Sequence, residues 1–382
     1  MKRSLIIVLA VFLASCHGNV KNDIAKAAGD SSSVAYANYM RIYDDSLVSL
    51  NSWQGASSEK YRLVPRDCTA LLSSDIMAIP FPVQSCICMS TTYLPAIQML
   101  GKTETVKAVS GTRCIYDSIY RSRAENGLIA DIGAETSPDY EKILSLKCDV
   151  VLAYGIEGSD NTYIEKLRKL GQKVLVINDY LESSVKGRME YLKLFGSLFD
   201  EVDLADSLFR LKEEKYRSMA IRCAAEIAAE RWQVSSLVLV NMPFKGIWYV
   251  PGKDSYMYEI VTWAGGTILG AEDGESVSSQ ESLERMYTLA KSADVWIHLN
   301  SARTKAEVIS ENSMFSNIPA VKSGKLYNNV KRVTPYGGSD YCESGAYYPE
   351  EVLMDLIQIL HPGIAEKIAP GREMKYYIKL SE

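Results

Sequence analysis

The chain has 382 residues, with 42 Lys and Arg against 47 Asp and Glu and a net charge of −5. That length supports two lobes with their own cores, and a mildly acidic balance without a basic block argues against a nucleic-acid partner. After the first sixteen residues no apolar run is long enough to cross a bilayer, and three histidines without ligand spacing offer no histidine-rich zinc or manganese site.

Lys2 and Arg3 precede Leu5 to Ala14, an apolar run of signal-peptide length that ends in Leu13-Ala14-Ser15-Cys16. Small residues lie extended in a peptidase groove, and the cysteine after them can take a thioether-linked diacylglycerol. The segment resembles a bacterial lipobox, which implies cleavage before Cys16 and lipidation of Cys16. Several acyl chains on one residue exceed what stable anchoring needs. The expected protein is an extracytoplasmic body, periplasm-facing or on the cell surface, held by lipid alone. Residues 17–33 are small and polar and read as a flexible tether. Of the eight cysteines, Cys16 aside, an odd number remains, so at least one thiol stays free. Cys86 and Cys88 read as buried same-face residues of a strand. A disulfide from Cys68 or Cys114 is an open alternative.

Residues 34–70 alternate in short stretches and predict a hairpin-like extension. Strands follow at Val83 to Met89 and Val106 to Val109, with a helix over Leu94 to Leu100 closing at Gly101. Ser137 and Pro138 read as the cap and first turn of a helix that leads into a buried strand, Asp149 to Tyr154. A helix over Ile164 to Leu170 feeds a strand at Lys173 to Ile177. This cadence predicts a parallel sheet with helices on both faces. From Val185 to Trp232 there is no strand signal and no proline. Leu204, Leu208, Leu211, Met219, Cys223 and Ile227 form one apolar stripe, and Glu201 to Arg231 predicts about 45 Å of helix. Strands return at Ser236 to Val240, Ile247 to Val250, Asp294 to His298 and Leu326 to Tyr327. Helices are predicted over Tyr256 to Ala264, Glu281 to Ala290 and Pro349 to Leu360. The fold class is α/β: two lobes, each a mostly parallel sheet flanked by helices, joined by one long backbone helix. The boundaries are 34–182 for the N-terminal lobe with its extension, 183–232 for the linker helices, and 233–382 for the C-terminal lobe.

Four phrases then carry a resemblance. They are Ser137 to Val151 (SPDYEKILSLKCDVV), Trp248 to Tyr256 (WYVPGKDSY) running on to Ala264-Gly265-Gly266, Glu284 to Tyr287 with Ala293 to Trp296, and Gly324 to Asn329 (GKLYNN) with Ser339 to Gly345 (SDYCESG), Asp355 to Ile357, His361 and Pro362. In this order they resemble the periplasmic binding proteins that serve ABC importers of ferric chelates, haem and vitamin B12, from about Tyr61 to Pro362. Two departures stand out: Cys148 replaces a usual proline, and Cys342 stands where a tryptophan is common. The resemblance implies a ligand held in the cleft between lobes, small closure about a stiff helix, and a permease that reads one surface carboxylate on each lobe. Glu141 is the N-lobe candidate; Glu284, with Glu281 as rival, is the C-lobe candidate. Cleft candidates are Tyr93, Tyr154, Trp248, Tyr256, Arg332, Tyr336 and Tyr341, since aromatics and arginine on loops suit a large, flat or anionic chelate.

The function expected is therefore that of a lipid-anchored, monomeric substrate-binding protein that delivers an iron chelate, siderophore or haem, to an ABC permease. Neither a resident cofactor nor protein ligands to the metal are needed. Arg113, Arg121, Lys245, Lys253 and Arg332 in loop regions favour an anionic chelate, while cobalamin is the alternative that aromatics and backbone amides would suit. A transport-inactive surface-binding lipoprotein is a further alternative. No Gly-x-Gly-x-x-Gly or Gly-x-Ser-x-Gly phrase supports an enzyme.

Overall fold

The computed structural model describes residues 33–43, 47–51, 58–66, 76–134, 136–155, 161–229 and 235–382. The signal segment, Cys16, Cys68 and the tether up to residue 32 lie outside the described residues. The expected hairpin extension is a four-stranded sheet, β1 (Met40–Tyr43), β2 (Leu47–Asn51), β3 (Ser58–Pro65) and β4 (Ile76–Phe81), antiparallel except for the parallel β3–β4 pair. Just before it, five backbone N–H groups bond to two buried carboxylates. Ala35, Tyr36 and Ala37 donate to Glu190 at 2.6–2.9 Å, and Asn38 and Tyr39 donate to Glu182 at 2.7 and 2.9 Å. Charge-assisted bonds of this kind are the strong ones, so the start of the described chain is pinned to the end of the N-terminal lobe at Glu182 and to the linker at Glu190.

The N-terminal lobe is built on β5 (Cys86–Cys88), β6 (Val106–Val109), β7 (Ala130–Asp131), β8 (Val150–Ala153) and β9 (Val174–Val176), in the order β7-β6-β5-β8-β9 and parallel throughout. Side chains alternate between two cores. Cys86, Cys88, Val150 and Leu152 face one; Ile87, Ala108, Val151 and Ala153 face the other. A strand buried on both faces needs a continuous apolar run, which is what these segments carry. Helices α1 (Leu94–Met99), α2 (Ser118–Glu125), α3 (Tyr140–Leu146) and α4 (Thr162–Lys169) cover the faces. One predicted cap moves: α3 starts at Tyr140, because the Asp139 carboxylate, not Ser137, accepts the Lys142 N–H.

The linker comprises α5 (Val185–Glu190), α6 (Leu192–Phe199) and α7 (Val202–Ala229), the last with 28 residues, about 42 Å at 1.5 Å per residue. The long helix is where the sequence placed it, and most of its apolar stripe packs as expected: Cys223 is buried, and Leu208, Met219 and Ile227 are partly buried against the cores. Leu204 and Leu211 depart from it, at 39% and 66% exposed, and Ala205, Phe209, Tyr216 and Ala220 are buried as well. Near its start the contacting face is shifted by one residue because α7 packs closely on α6, where Gly196 lies against Ala205. Small and aromatic residues fit that approach better than leucine.

The C-terminal lobe repeats the plan with β10 (Ser236–Val240), β11 (Ile247–Pro251), β12 (Gly266–Ile268), β13 (Ser278–Ser282), β14 (Val295–Ile297), β15 (Leu326–Asn328) and β16 (Ile378–Lys379). Its main sheet runs β12-β10-β14-β15-β16, parallel but for the β16 edge. The predicted Ile247 strand is outside this sheet and pairs antiparallel with β13 as a separate ribbon. Helices are α8 (Tyr256–Trp263), α9 (Leu283–Ala290), α10 (Lys305–Glu311), α11 (Pro319–Lys322), α12 (Asp340–Ser344), α13 (Pro349–Leu360) and α14 (Pro362–Ile368). The helix expected from Glu281 begins two residues later, with Ser282 as its cap on the Arg285 N–H. Glu281 itself lies in β13 opposite Trp248.

The phase of α7 is testable by denaturant unfolding. Phe209→Ala is expected to lose about 3 kcal/mol of stability, and Leu211→Ala to stay within about 0.5 kcal/mol of the parent. The reverse ranking would restore the leucine stripe.

Candidate functional site

In open parallel sheets, ligands gather outside the carboxyl ends of strands where the strand order reverses. In the N-terminal lobe that point lies beyond β5. Here a short turn, Thr91–Tyr93, is capped by Ser90, whose hydroxyl accepts the Thr92 N–H. Thr92 forms one wall of a cavity of about 210 Å³. The linker supplies Val185 and Arg188 from α5. The C-terminal lobe supplies Tyr256 from α8, Tyr341 from α12 and Pro349 from α13. All three parts of the molecule therefore meet at this space.

Among the described residues, Arg188 is the only one lining it that carries a fixed charge. Its Nη2 lies 3.3 Å from Asp179 Oδ2, and its guanidinium sits over the Tyr256 ring, 4.4 Å from the centroid, a cation–π arrangement. Burial pulls the guanidinium down, but Tyr256 and Asp179 outweigh it, so the group is held above its ordinary value and stays charged. Its Nε has no hydrogen-bond partner among the described residues. The wall beneath it is tied by Glu259 of α8. That carboxylate accepts the Val185 N–H at 2.9 Å and the Tyr216 hydroxyl at 3.3 Å, joining α5, α7 and α8. Burial raises Glu259 above the usual carboxylate range.

Tyr341 stands on an aromatic base. Its ring is edge-on to His298, Tyr376 and Tyr377 at 5.4, 5.7 and 5.9 Å. His298 Nε2 lies 2.6 Å from the Tyr377 hydroxyl. Burial pushes His298 down to about 4, so the imidazole is neutral at physiological pH. Among the described residues no three His, Cys, Asp or Glu side chains group as a metal site. The space is lined by a cation, hydroxyl-bearing side chains and apolar side chains.

Beside the cavity the two lobes touch. Glu343 on α12 accepts the Tyr116 and Asp117 N–H groups of the N-terminal lobe at 2.8 and 3.2 Å. Arg332 lies over Tyr116 at 4.9 Å, and Arg113 over Tyr336 at 5.1 Å. A Cβ on Gly338 would fall 1.7 Å from the Cys114 carbonyl oxygen, so this approach admits only glycine. These contacts form a clasp between the lobes.

Of the seven cleft candidates, Tyr256 and Tyr341 line the cavity. Arg332 and Tyr336 belong to the clasp, where Arg332 Nε is also 2.5 Å from Asp340. Tyr93 and Trp248 are core residues. Tyr93 donates to the Ala153 carbonyl at 2.9 Å, and Trp248 donates to the Val240 carbonyl at 2.8 Å while stacking on Trp296. Neither has surface left to offer a ligand. Tyr154 follows β8, with its N–H and C=O both bonded to the Tyr163 hydroxyl, and is not among the described residues that line the cavity. The loop cations are also elsewhere: Arg113 is in the clasp, Lys253 pairs with Asp273 at 3.0 Å, and Arg121 and Lys245 are exposed. Arg188, Asp179 and Glu343 were missed. Their only sequence signal is position, just past the last N-lobe strand and inside the late glycine-rich phrase. Glu141 and Glu284 are exposed in the first turns of α3 and α9. Glu281 is held by Arg285 at 2.5 Å and is nearly covered. Cys114 Sγ lies 3.5 Å from the Tyr336 carbonyl oxygen.

Residues 87–331 match the family described as Periplasmic binding protein. The chain belongs to that family. Its members are solute-binding proteins, not enzymes. An uncharacterized lipoprotein of Methanocaldococcus jannaschii is 25% identical to this periplasmic binding protein over 373 residues, covering 90% of this chain and 84% of the relative. Among solved structures, the molybdate periplasmic binding protein of a Haemophilus influenzae ABC transporter has a TM-score of 0.56 at 17% identity, over 76% of this chain and 90% of that one. A periplasmic heme binding protein from Pseudomonas aeruginosa has a TM-score of 0.55 at 16% identity, over 73% and 93%. At such identities the structures establish the shared fold: two α/β lobes and a long connecting helix.

Burial raises Glu343 from 4.5 to about 7 despite the two N–H groups it accepts. Folding therefore takes up a proton there. The stabilisation is full below pH 4.5 and is lost as pH rises to about 7, worth about 3 kcal/mol across the window. Urea unfolding at both ends of that window should show a fall that Glu343→Gln reduces by this amount; an unchanged fall would place the Glu343 carboxyl in water.

Proposed function

We propose that this periplasmic binding protein is the capture component of an ABC importer, anchored outside the cytoplasm through lipid on Cys16, and that it carries an anionic metal-bearing solute between its lobes. The observation that carries this reading is the cavity walled by both lobes and the linker, with the Arg188 cation facing two tyrosines. A bound solute would touch all three walls at once, which is how a binding protein couples occupancy to the relative position of its lobes. An iron chelate, haem or a ferric siderophore, is the solute class that the sequence phrases suggest, and the P. aeruginosa neighbour is a heme binding protein. Aromatic walls also suit cobalamin.

Delivery to a permease is supported by Glu141 and Glu284. Each is exposed, each sits at a helix start, and each belongs to a different lobe. A permease arginine could pair with either carboxylate without disturbing a bond inside the protein. Glu281 lacks this freedom. The functional bodies in this reading are residues 34–182 and 233–382, bridged by 183–232.

In cells that depend on this importer, Glu141→Arg and Glu284→Arg should each reduce uptake to background while the purified variants bind solute with the parent affinity. Equal loss of uptake and affinity would place the carboxylate in solute binding instead. Cys16→Ser should move the protein from the membrane fraction to the soluble fraction.

A further inference from the structure

The cavity is small for the cargo that the family phrases suggest. Its volume of about 210 Å³ lies below the roughly 300–1,000 Å³ of sites for drug-sized ligands. The walls have little room to retreat. Thr92 is tied to the capped turn after β5, Val185 to the α5–α7–α8 junction through Glu259, Arg188 to Asp179, and Tyr341 to its aromatic base. A macrocycle would have to break the Glu343 bonds and the Gly338–Cys114 approach.

The chemistry of the walls is equally selective. Thr92, Tyr256 and Tyr341 bring hydroxyls and Cys342 brings a thiol, while Val185, Ile260, Pro349 and their neighbours are apolar. Among the described residues no carboxylate lines the space. Asp179 is the nearest partner of Arg188, and it engages Nη2 at 3.3 Å, leaving the Nε–H without an acceptor. A buried donor on a cation without an acceptor is costly, and an incoming oxygen removes that cost.

We propose that the site takes a compact oxyanion, either an inorganic tetraoxo anion or a small carboxylate, with one oxygen on the Arg188 Nε–H and others on the Tyr256 and Tyr341 hydroxyls. This rests on the importer reading, keeps its anionic cargo and replaces the bulky chelate by a small one. Arg188 selects for charge, and the clasp selects for size.

Isothermal titration of the purified, lipid-free chain tests it with a panel. Molybdate, tungstate and phosphate form the inorganic arm; citrate forms the carboxylate arm; haemin, ferrioxamine and cyanocobalamin form the bulky arm. One of the first two arms should bind, and Arg188→Gln should weaken that binding about tenfold or more, the worth of a charged hydrogen bond. Should Arg188→Gln fail to fold by circular dichroism, the Tyr256→Phe/Tyr341→Phe variant should give a comparable loss. Small-anion binding that neither variant changes overturns the assignment. Binding of a bulky member while every small anion fails also overturns it, and leaves the importer reading standing. Silence across the whole panel from folded protein overturns both.

Discussion

One helix belongs to two hydrophobic cores, and the rest of the molecule follows from that. Ala205 and Phe209 near the start of α7 pack in the N-terminal core; Tyr216, Ala220 and Cys223 further along pack in the C-terminal core. Burying both halves of one continuous helix makes the joint between lobes a rod. A hinge of crossing strands would let the lobes swing about a few backbone torsions, whereas here a large swing must bend the rod or strip one core from it. Interiors packed to crystal-like density resist both. The lobes therefore keep nearly one spacing, and a cavity set between them keeps nearly one volume.

Polar groups around that cavity reinforce the constraint. Glu259 bonds to α5 and α7 from α8, while Glu182 and Glu190 fasten the segment before β1 to the end of the N-terminal lobe and to the linker. Each of these carboxylates is covered, and each has N–H or hydroxyl partners, which is the condition under which a buried acid is tolerated. Glu343 does the same between lobes. Its bonds cross from one lobe to the other, so its proton is coupled to closure as well as to folding. Arg188 is the exception in sign, a covered cation with one acceptor and an unmatched donor. That asymmetry marks the cavity as a place for negative charge.

Much of the fold was legible because it depends on local pattern. The strands Val106–Val109 and Ser236–Val240 and the helix Pro349–Leu360 were read with the bounds they have, since buried parallel strands are short apolar runs and proline marks a helix start. The length of α7 was legible from the absence of breakers, and so was much of its buried face (Leu208, Met219, Cys223 and Ile227), but not the face near its start. Hydrophobicity favoured Leu204 and Leu211, while close packing on Gly196 selected Ala205 and Phe209. Glu281 was misplaced because a polar strand in a two-stranded ribbon, SSQES, has no apolar alternation to betray it.

The site was less legible than the fold, since it is made of long-range neighbours. An aromatic after a strand reads the same whether it faces a cleft or the core, and Tyr93 and Trp248 face the core. Arg188 drew no notice because nothing nearby in sequence distinguishes it from any helical arginine; its meaning comes from Tyr256, far along the chain. The central claim, lobes held by a rod around a space of nearly constant size, is tested most directly by a distance across the lobes. Spin labels at Ser145 and Ser310, both exposed, with Cys114, Cys148 and Cys342 replaced by serine, report it by double electron–electron resonance with and without solute. The account predicts a narrow distribution that moves by less than one helical turn, about 5 Å. A broad distribution, or a shift well beyond that turn on binding, would contradict it.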